Sequence, residues 1–568
     1  MKKNFFLLII VLNVTNLLGQ TNYYVSGNGN NSNNGSISSP WETIQYAVNQ
    51  LHPGDTLNIK SGTYPEKIQI SVSGTANAYI TIRNYLNDEV ILDAGNFNNS
   101  IPIIQTDQAY LHIEGLHLTN NIKNYAVGFE LNNAAHHIEF VNNKISNIRF
   151  SSRPNATVTP GKNAVPLNIW ADQPQDSIHN IIIRGNEVFD NQTGYSECIT
   201  GGGNFSHFVI ENNLIHDNTN IGIDVTGHYG VCPTANLDQG RYGIIKNNII
   251  YNCDADYSTS AGIYIDGGRD ILIENNISHH NGYGAEIGCE ENGTTSNIIL
   301  RNNLFYLNSD AGIAIGGYDE NTTGNVTNTK ISGNTFFKND TGNNYNGEIL
   351  LSKLTNCSMQ NNIFYVSNQN VLLEAARSQT NFDFDYNLIY HDANNQHITI
   401  ETENGSYNTL TAYYNASGQG AHNTFGNPMF SDTASANFHI SINSPAIDNG
   451  NPNYIISNAE VDLDGQPRIF NNRIDCGIDE YYSPNAIYTE KISLNIYPNP
   501  ASDYVNIQTF DNKKYSFEIS NLSGQIILMG NLFHTNHIYI KQLQKGIYFL
   551  SILKKNQNKI YQTKIIKN

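Results

Sequence analysis

Acidic side chains recur in three of four matching short apolar segments. Asp224 lies in Gly-Ile-Asp-Val-Thr (222–226), Tyr264 and Asp266 in Gly-Ile-Tyr-Ile-Asp (262–266), and Glu286 in Gly-Ala-Glu-Ile-Gly (284–288); Gly-Ile-Ala-Ile-Gly (312–316) is a fourth line without acids. Side chains alternate across a strand. With Ile223/Val225, Ile263/Ile265, Ala285/Ile287 and Ile313/Ile315 pointing inward, Asp224, Thr226, Tyr264, Asp266 and Glu286 share the opposite face, which reads as a groove floor. Carboxyls on strands about 4.8 Å apart repel and raise one another's pKa. A cluster of this kind binds a cation, or holds a protonated acid beside an ionised one.

Two chemistries fit these residues. The first is hydrolysis of a glycoside with retention, Asp266 acting as nucleophile and Glu286 as acid/base, which requires carboxyls about 5–5.5 Å apart. The second is β-elimination on a uronic acid, either expelling a sugar or, on a terminal uronate, expelling a hydroxyl as water. Proton abstraction beside a carboxylate needs that carboxylate neutralised and a base at hand. Asp224, Glu290, Glu291 and Asp319 offer oxygen ligands for Ca²⁺, Arg269 or Arg241 offers positive charge, and His228, Tyr229 or Tyr264 offers the base. Glu197 continues the acidic line in a register ambiguous by one residue. His279-His280 follow an Asn turn on another side of the repeat and read as surface or turn residues. A non-catalytic carbohydrate-binding solenoid is a third reading, but it predicts aromatics spread along a groove rather than acids concentrated in residues 222–320.

The elements that position these residues repeat along the chain. An apolar strand, an Asn turn and a second strand recur, with the last Asn at 143, 186, 213, 248, 276, 303, 334, 362 and 387, intervals of 25 to 43 residues. A coil of three strands with insertions accounts for such spacing. Asn suits a left-handed turn, and its amide can bond the same amide one coil away. The longest interval contains 151–176, with Pro154, Pro160, Pro166, Trp170 and Pro174; it is expected to stand out as a loop, with the Trp170 ring either beside the groove or packed on its own loop. Apolar residues at 41, 44, 47, 48 and 51 have helical spacing, and Pro40 before them is a natural helix start.

The chain has 568 residues and a net charge of −19, which argues against binding nucleic acid through a basic surface. Residues 1–20, with Lys2, Lys3 and an apolar run from Phe5 to Leu12, read as a secretory signal. No later segment is long and apolar enough to span a membrane. Six cysteines lack metal-ligand spacing; export permits disulfides, Cys232 with Cys253 among them. Asp462 and Asp464 could hold calcium, although a turn bonding its own backbone is favoured.

The order Trp41 to Leu51, Gly54-Asp55-Thr56-Leu57-Asn58-Ile59 and Gly62-Thr63-Tyr64 resembles the N-terminal cap of secreted right-handed β-helix proteins of the pectate-lyase-like superfamily. Ile-Asp followed, after a strand and an Asn-Asn pair, by Gly-x-Glu-Ile is similar to the site region of β-helical β-xylosidases, and implies the Asp266/Glu286 pair. The absence of lysine from the acidic face departs from the polysaccharide lyases of family nine, which combine Asp-bound Ca²⁺ with a Lys base. Ser493-Leu494-Asn495-Ile496-Tyr497-Pro498-Asn499-Pro500, Ile519 to Gly524, Lys545 to Ile552 and the Lys-rich end resemble the C-terminal sorting domain of the Bacteroidetes type IX secretion system.

These readings give an all-β chain, a right-handed parallel β-helix with a short N-terminal capping helix and a small C-terminal β-sandwich. The expected divisions are a signal peptide (1–20), a cap and first coil (21–80), the β-helix with its closing segment (81–482), a linker (483–491) and the sorting domain (492–568). The expected function is an exported enzyme acting on an acidic polysaccharide or oligosaccharide, with elimination first because the superfamily resemblance implies it, hydrolysis second, and Ca²⁺ as the cofactor elimination would use. The type IX machinery is the expected partner, and the chain is expected to be a monomer.

Overall fold

Runs of alternating apolar residues, broken every few residues by Asn or Gly, cannot form one flat sheet and instead wind into coils that bury a common interior. The computed structural model describes residues 21–481 except 100, 318–321, 376, 393–396, 458–459 and 471–472, and, in the second unit, 482, 495–497, 499, 501–508, 515–521, 526–532, 537–553 and 559–567. The signal segment and the linker lie outside the described residues. The first unit, to Tyr481, is a right-handed parallel β-helix of three sheets, each coil passing from the first sheet to the third and then to the second. The second unit contains two antiparallel sheets around an apolar cluster of Val505, Ile507, Ile519, Ile538, Leu550, Ile552 and Ile565.

The interior of the β-helix is one apolar stack. Ile, Leu, Val and Phe from every coil, including Phe129 on Phe140 and Phe305 on Phe336 on Phe364, fill it. The open end is covered by α1 (Ile44–Val48), which turns Ile44, Ala47 and Val48 inward. The helix begins four residues after Pro40. Thr43 is its N-cap residue, and the Glu66 carboxylate accepts the Ile44 and Gln45 N–H groups, so a distant side chain sets the start in place of the proline.

The recurrent Asn pair divides two tasks that the sequence assigned to one residue. The first position takes the left-handed backbone, as at Asn142, Asn212, Asn247, Asn275 and Asn302, with Gly185 and Gly333 where Asn is missing. The second is buried and builds the ladder. Asn143 Nδ2 donates to Asn186 Oδ1, Asn186 to Asn213, Asn213 to Asn248, and so on through Asn387 to Asn423, at 2.9–3.3 Å. A second ladder at Asn191, Asn218, Asn281, Asn308 and Asn339 runs on the other side of the third sheet. Cys253 occupies an Asn position in it, its N–H donating to Asn281 Oδ1. The Cys253 thiol is therefore committed to the coil, whereas the Cys232 N–H is held by Asp238 in a loop; all six cysteines are free and buried, and the anticipated Cys232–Cys253 disulfide does not form.

Six strands of the second sheet carry the site: β1 (Ala164–Ala171), β2 (Ile199–Gly203), β3 (Ile223–Thr226), β4 (Ala261–Asp266), β5 (Tyr283–Gly288) and β6 (Ala311–Ile315). Their register aligns Ile199, Ile223, Ile263, Ala285 and Ile313, with Asp224 beside Tyr264 and Tyr264 beside Glu286. The stacking read from the sequence is the one observed. The 151–176 segment, expected to be a loop throughout, is a loop only in part: β1 lies inside it, pairing with β2 because Ala164, Leu167, Ile169 and Ala171 alternate into the core. Asp462 closes its own turn, Oδ1 accepting the Asp464 and Gln466 N–H groups.

Candidate active site

The outer face of β1 to β4 and the loops on either side of these strands enclose a cavity of about 580 Å³. The strands supply Asn168, Trp170, Thr200, Asp224, Tyr264 and Asp266; the loops supply Tyr195, Glu197, Asn220, Tyr229 and Glu290. The face predicted to be an open groove floor is enclosed by these loops, so that Asp224, Tyr264 and Asp266 are almost wholly buried. No Lys or Arg is among the residues lining the cavity.

Asp266 is at the centre of the hydrogen bonding. Its Oδ1 accepts the Glu290 N–H at 2.7 Å, and its Oδ2 accepts the Tyr229 hydroxyl at 2.5 Å. The same hydroxyl lies 3.2 Å from Glu290 Oε2. The sum of those two hydroxyl distances, 5.7 Å, is thus the upper limit on the separation of Asp266 Oδ2 from Glu290 Oε2. Gly288, beside Asp266 on β5, keeps the space over it clear: a Cβ there would lie 2.9 Å from the Tyr264 hydroxyl oxygen.

Burial and like charge raise the pKa values of the acids across the cavity. Asp266 is pushed up to about 7 by desolvation and then by Glu290, against the lowering effect of the bonds from Tyr229 and Glu290 N–H. Glu197 is raised by desolvation and by Asp266 and Glu290. Asp224 is raised well above the usual carboxylate range by desolvation and by Glu197, and its Oδ1 is buried without a hydrogen-bond partner. Tyr229 is 44% exposed, yet its hydroxyl is raised far above the ordinary phenol range by desolvation, Asp266 and Glu290, as is that of Tyr264 by desolvation and Glu286. Both phenols are proton donors here rather than bases.

The remaining sequence candidates are placed elsewhere. Glu286 is half-buried beside Tyr264 but is not among the cavity-lining residues; desolvation, Glu290 and Asp266 push it up to about 8. His228 turns away to the Gln239 amide and the Thr294 backbone. Arg269 starts the first-sheet strand Arg269–Glu274 after the Gly267-Gly268 turn, so its guanidinium packs over Tyr242 and pairs with Asp270, outside the cavity. Arg241 is buried against Asn204 and the Leu237 and Gln239 carbonyls. Glu291 is exposed and outside the lining, and Asp319 lies outside the described residues. His279 and His280 are on the third-sheet side, as read.

Several lining residues were not singled out in the sequence or were given another part. Glu290, read only as a metal ligand, shares a hydroxyl with Asp266. Glu197, ambiguous in register, precedes β2 and reaches the cavity from the loop, while Thr200 is the residue aligned with Asp224. Tyr195, Asn168 and Asn220 carried no sequence signal beyond their types.

The family model described as a Pel9A-like, right handed beta helix region matches residues 23–171, that of a right handed beta helix region matches 234–327, and that of a secretion system C-terminal sorting domain matches 495–568. Over 440 residues the chain is 30% identical to YwoF of Bacillus subtilis, covering 74% of this chain and 91% of YwoF. Over 98 residues it is 35% identical to pectate lyase PEL9 of Emericella nidulans, covering 16% of this chain and 24% of that protein. The fold is similar to the crystal structure of pectate lyase Pel9A, at a TM-score of 0.41 and 16% identity over 82% of this chain and 97% of that one. Among the described residues no helix is long and apolar enough to cross a membrane.

Proposed function

This chain belongs to the same right-handed β-helix family as YwoF of Bacillus subtilis, and from that premise we propose that it is a carbohydrate-active enzyme in which Asp266 and Glu290 cleave a glycosidic bond by hydrolysis. The sorting domain marks the protein for secretion to the cell surface or the extracellular space, where polysaccharide is met. The observation that carries the reading is the single Tyr229 hydroxyl within reach of both carboxyls, which keeps them inside 5.7 Å, the sum of its two distances. That limit includes the separation a retaining glycosidase uses.

Asp266, whose carboxyl keeps its proton up to about pH 7 and is oriented by the Tyr229 hydroxyl and the Glu290 N–H, gives that proton to the leaving oxygen and then takes one from the water that releases the glycosyl group. Glu290 attacks the anomeric carbon. Trp170, exposed at the rim, and Tyr195 offer rings for the sugar, and protonated Glu197 and Asp224 donate to its hydroxyls. The lack of Lys and Arg in the lining favours an uncharged sugar at the cleaved position.

Elimination on a uronate is the second reading, favoured by the likeness to pectate lyase PEL9. It needs a cation, which a bound Ca²⁺ would supply. Glu197, Asp224 and Glu290 are the residues that would hold it, and the unpartnered Asp224 Oδ1 is the atom that asks for one. Among the described residues, however, no three of the cavity carboxylates bring one oxygen each within 4.8 Å of the others. Incubation with neutral and uronate oligosaccharides separates the two. New reducing ends without an unsaturated chromophore support hydrolysis, and ultraviolet absorbance of an unsaturated uronate overturns it.

A further inference from the structure

On the first sheet, away from the acidic cavity, three imidazoles converge. His136 and His137 open the strand His136–Val141, and His179 is the register partner of His136 on the next coil. One ring nitrogen of each lies within 4.8 Å of the other two. Their convergence has a backbone cause. His137 has φ 54°, a left-handed bulge that turns it to the same side as its neighbour, and Asn180 repeats that conformation one coil on.

The hydrogen bonds of each ring bear on which nitrogen is available to a ligand. His179 Nδ1 is 2.8 Å from the Ser177 carbonyl oxygen, which only accepts, so Nδ1 carries the proton and Nε2 is free to ligate. His137 Nε2 is 2.9 Å from the Asn180 amide. The contact is to the amide nitrogen, which donates to Nε2 and leaves the His137 proton on Nδ1; an ion taken up between the rings replaces that proton, the Asn180 amide then turning its oxygen to Nε2–H. His136 Nδ1 and His137 Nδ1 are 2.8 Å apart, a distance that calls for a proton or a cation between them. Tyr110 stacks on His137 and meets His136 edge-on, and His136 stacks on His179, fixing the rings. Partners on the second ring nitrogen and packed ring faces are what orient histidine ligands in metal sites.

We propose that His136, His137 and His179 bind a late first-row divalent cation of the class that prefers imidazole, Zn²⁺ or Cu²⁺, and that the ion ties together the two coils between which the chain makes its longest excursion. Imidazole nitrogen selects this class over Ca²⁺ and Mg²⁺. His136 and His179 are 43 residues apart in sequence and adjacent in space, so one ion closes the loop-bearing coil. Two other histidine arrangements show what is particular here. His279 and His280 have the same Nδ1 contact at 2.7 Å, but His279 stacks between Tyr251 and Tyr306 and no third nitrogen joins. His112 is engaged by Glu114 and Glu139.

The test uses the full chain purified without a histidine tag and stripped of metal. Titration with Zn²⁺ by calorimetry and with Co²⁺ by visible absorption should give one site, with ligand-field bands from nitrogen coordination. The site should be lost in H179Q and in H137N, the latter chosen because Asn tolerates the left-handed backbone, and kept in H279Q. Zn²⁺ should raise the unfolding midpoint of the wild type by about 1–3 °C and leave that of H179Q unmoved. Far-ultraviolet circular dichroism and the metal-free midpoint show whether each variant folds. No binding by the wild type, or the same stoichiometry and bands in folded H137N or H179Q, overturns the proposal.

Discussion

The Tyr229 hydroxyl donates to Asp266 Oδ2 at 2.5 Å, joining the loop after β3 to the last residue of β4. The bond holds the carboxyl in place and stabilises its charged form, while desolvation and Glu290 oppose ionisation and push the group up to about 7. Asp266 is therefore poised to change state near neutral pH.

The sequence paired Asp266 with Glu286 and read Glu290 as a metal ligand, whereas the proposed mechanism pairs Asp266 with Glu290. Asp266→Asn and Glu290→Gln should each lower kcat by about 10²–10⁴-fold on a natural substrate. Glu286→Gln should stay within about tenfold of wild type, since Glu286 is not in the cavity lining. Release of reducing ends by the purified variants checks this. Loss on Glu286→Gln equal to that on Asp266→Asn would return Glu286 to the catalytic pair.

The pH profile follows from the same bond. Asp266 acting as the acid must be protonated, so kcat/KM should fall as pH rises through an apparent pKa near 7. Tyr229→Phe removes a donor that lowers the pKa, so this limb should move to higher pH as the rate falls. A limb that stays in place while only the rate drops would remove Tyr229 from control of Asp266.

Trp170 is 48% exposed at the cavity rim. Its ring is available to stack on a sugar, an interaction made in the ground state as well as the transition state. Trp170→Ala should raise KM several-fold with kcat nearly unchanged, measured by initial rates over a range of oligosaccharide concentration. An unchanged KM would mean that the ring makes no contact with the sugar.

The acidic face was legible because it rests on the two-residue period of a strand. Once Ile223, Ile263, Ala285 and Ile313 are inward, Asp224, Tyr264 and Glu286 must stack, and they do. Loops obey no such period. Glu290 and Tyr195 reach the cavity from turns whose paths no alternation fixes, and Arg269, three residues after Asp266, is carried onto another sheet by the Gly267-Gly268 turn. The first Asn ladder was visible as a repeated pair. The second was hidden by Cys253 standing in an Asn position.

The Asn ladder makes a stability prediction that is independent of chemistry. Asn248 accepts from Asn213 through Oδ1 and donates through Nδ2 to Asn276 and the Ile210 carbonyl. Asn248→Ala leaves buried partners above and below unsatisfied, so it should cost about 1–3 kcal/mol at each orphaned group, less whatever relaxation or entering water recovers. Denaturant unfolding of the variant should show a lower midpoint with little change in slope. An unchanged midpoint would mean that the ladder is ornamental to stability.

The second ladder ends on a charge-bearing group. Glu348 is fully buried, and its carboxyl accepts both the Asn339 N–H and the Asn339 side-chain amide. Desolvation outweighs those bonds and pushes its pKa up to about 8 from the ordinary 4.5. The folded state therefore holds this proton more tightly than the unfolded state. The stability contributed by protonated Glu348 is fully present below the unfolded value and is lost progressively as pH rises through the folded one. Glu348→Gln removes the titration. The stability of wild type relative to the variant, read from unfolding midpoints in buffers spanning that interval, should therefore fall as pH rises, and a difference that does not change with pH would show that Glu348 keeps the same charge in the folded and unfolded chains.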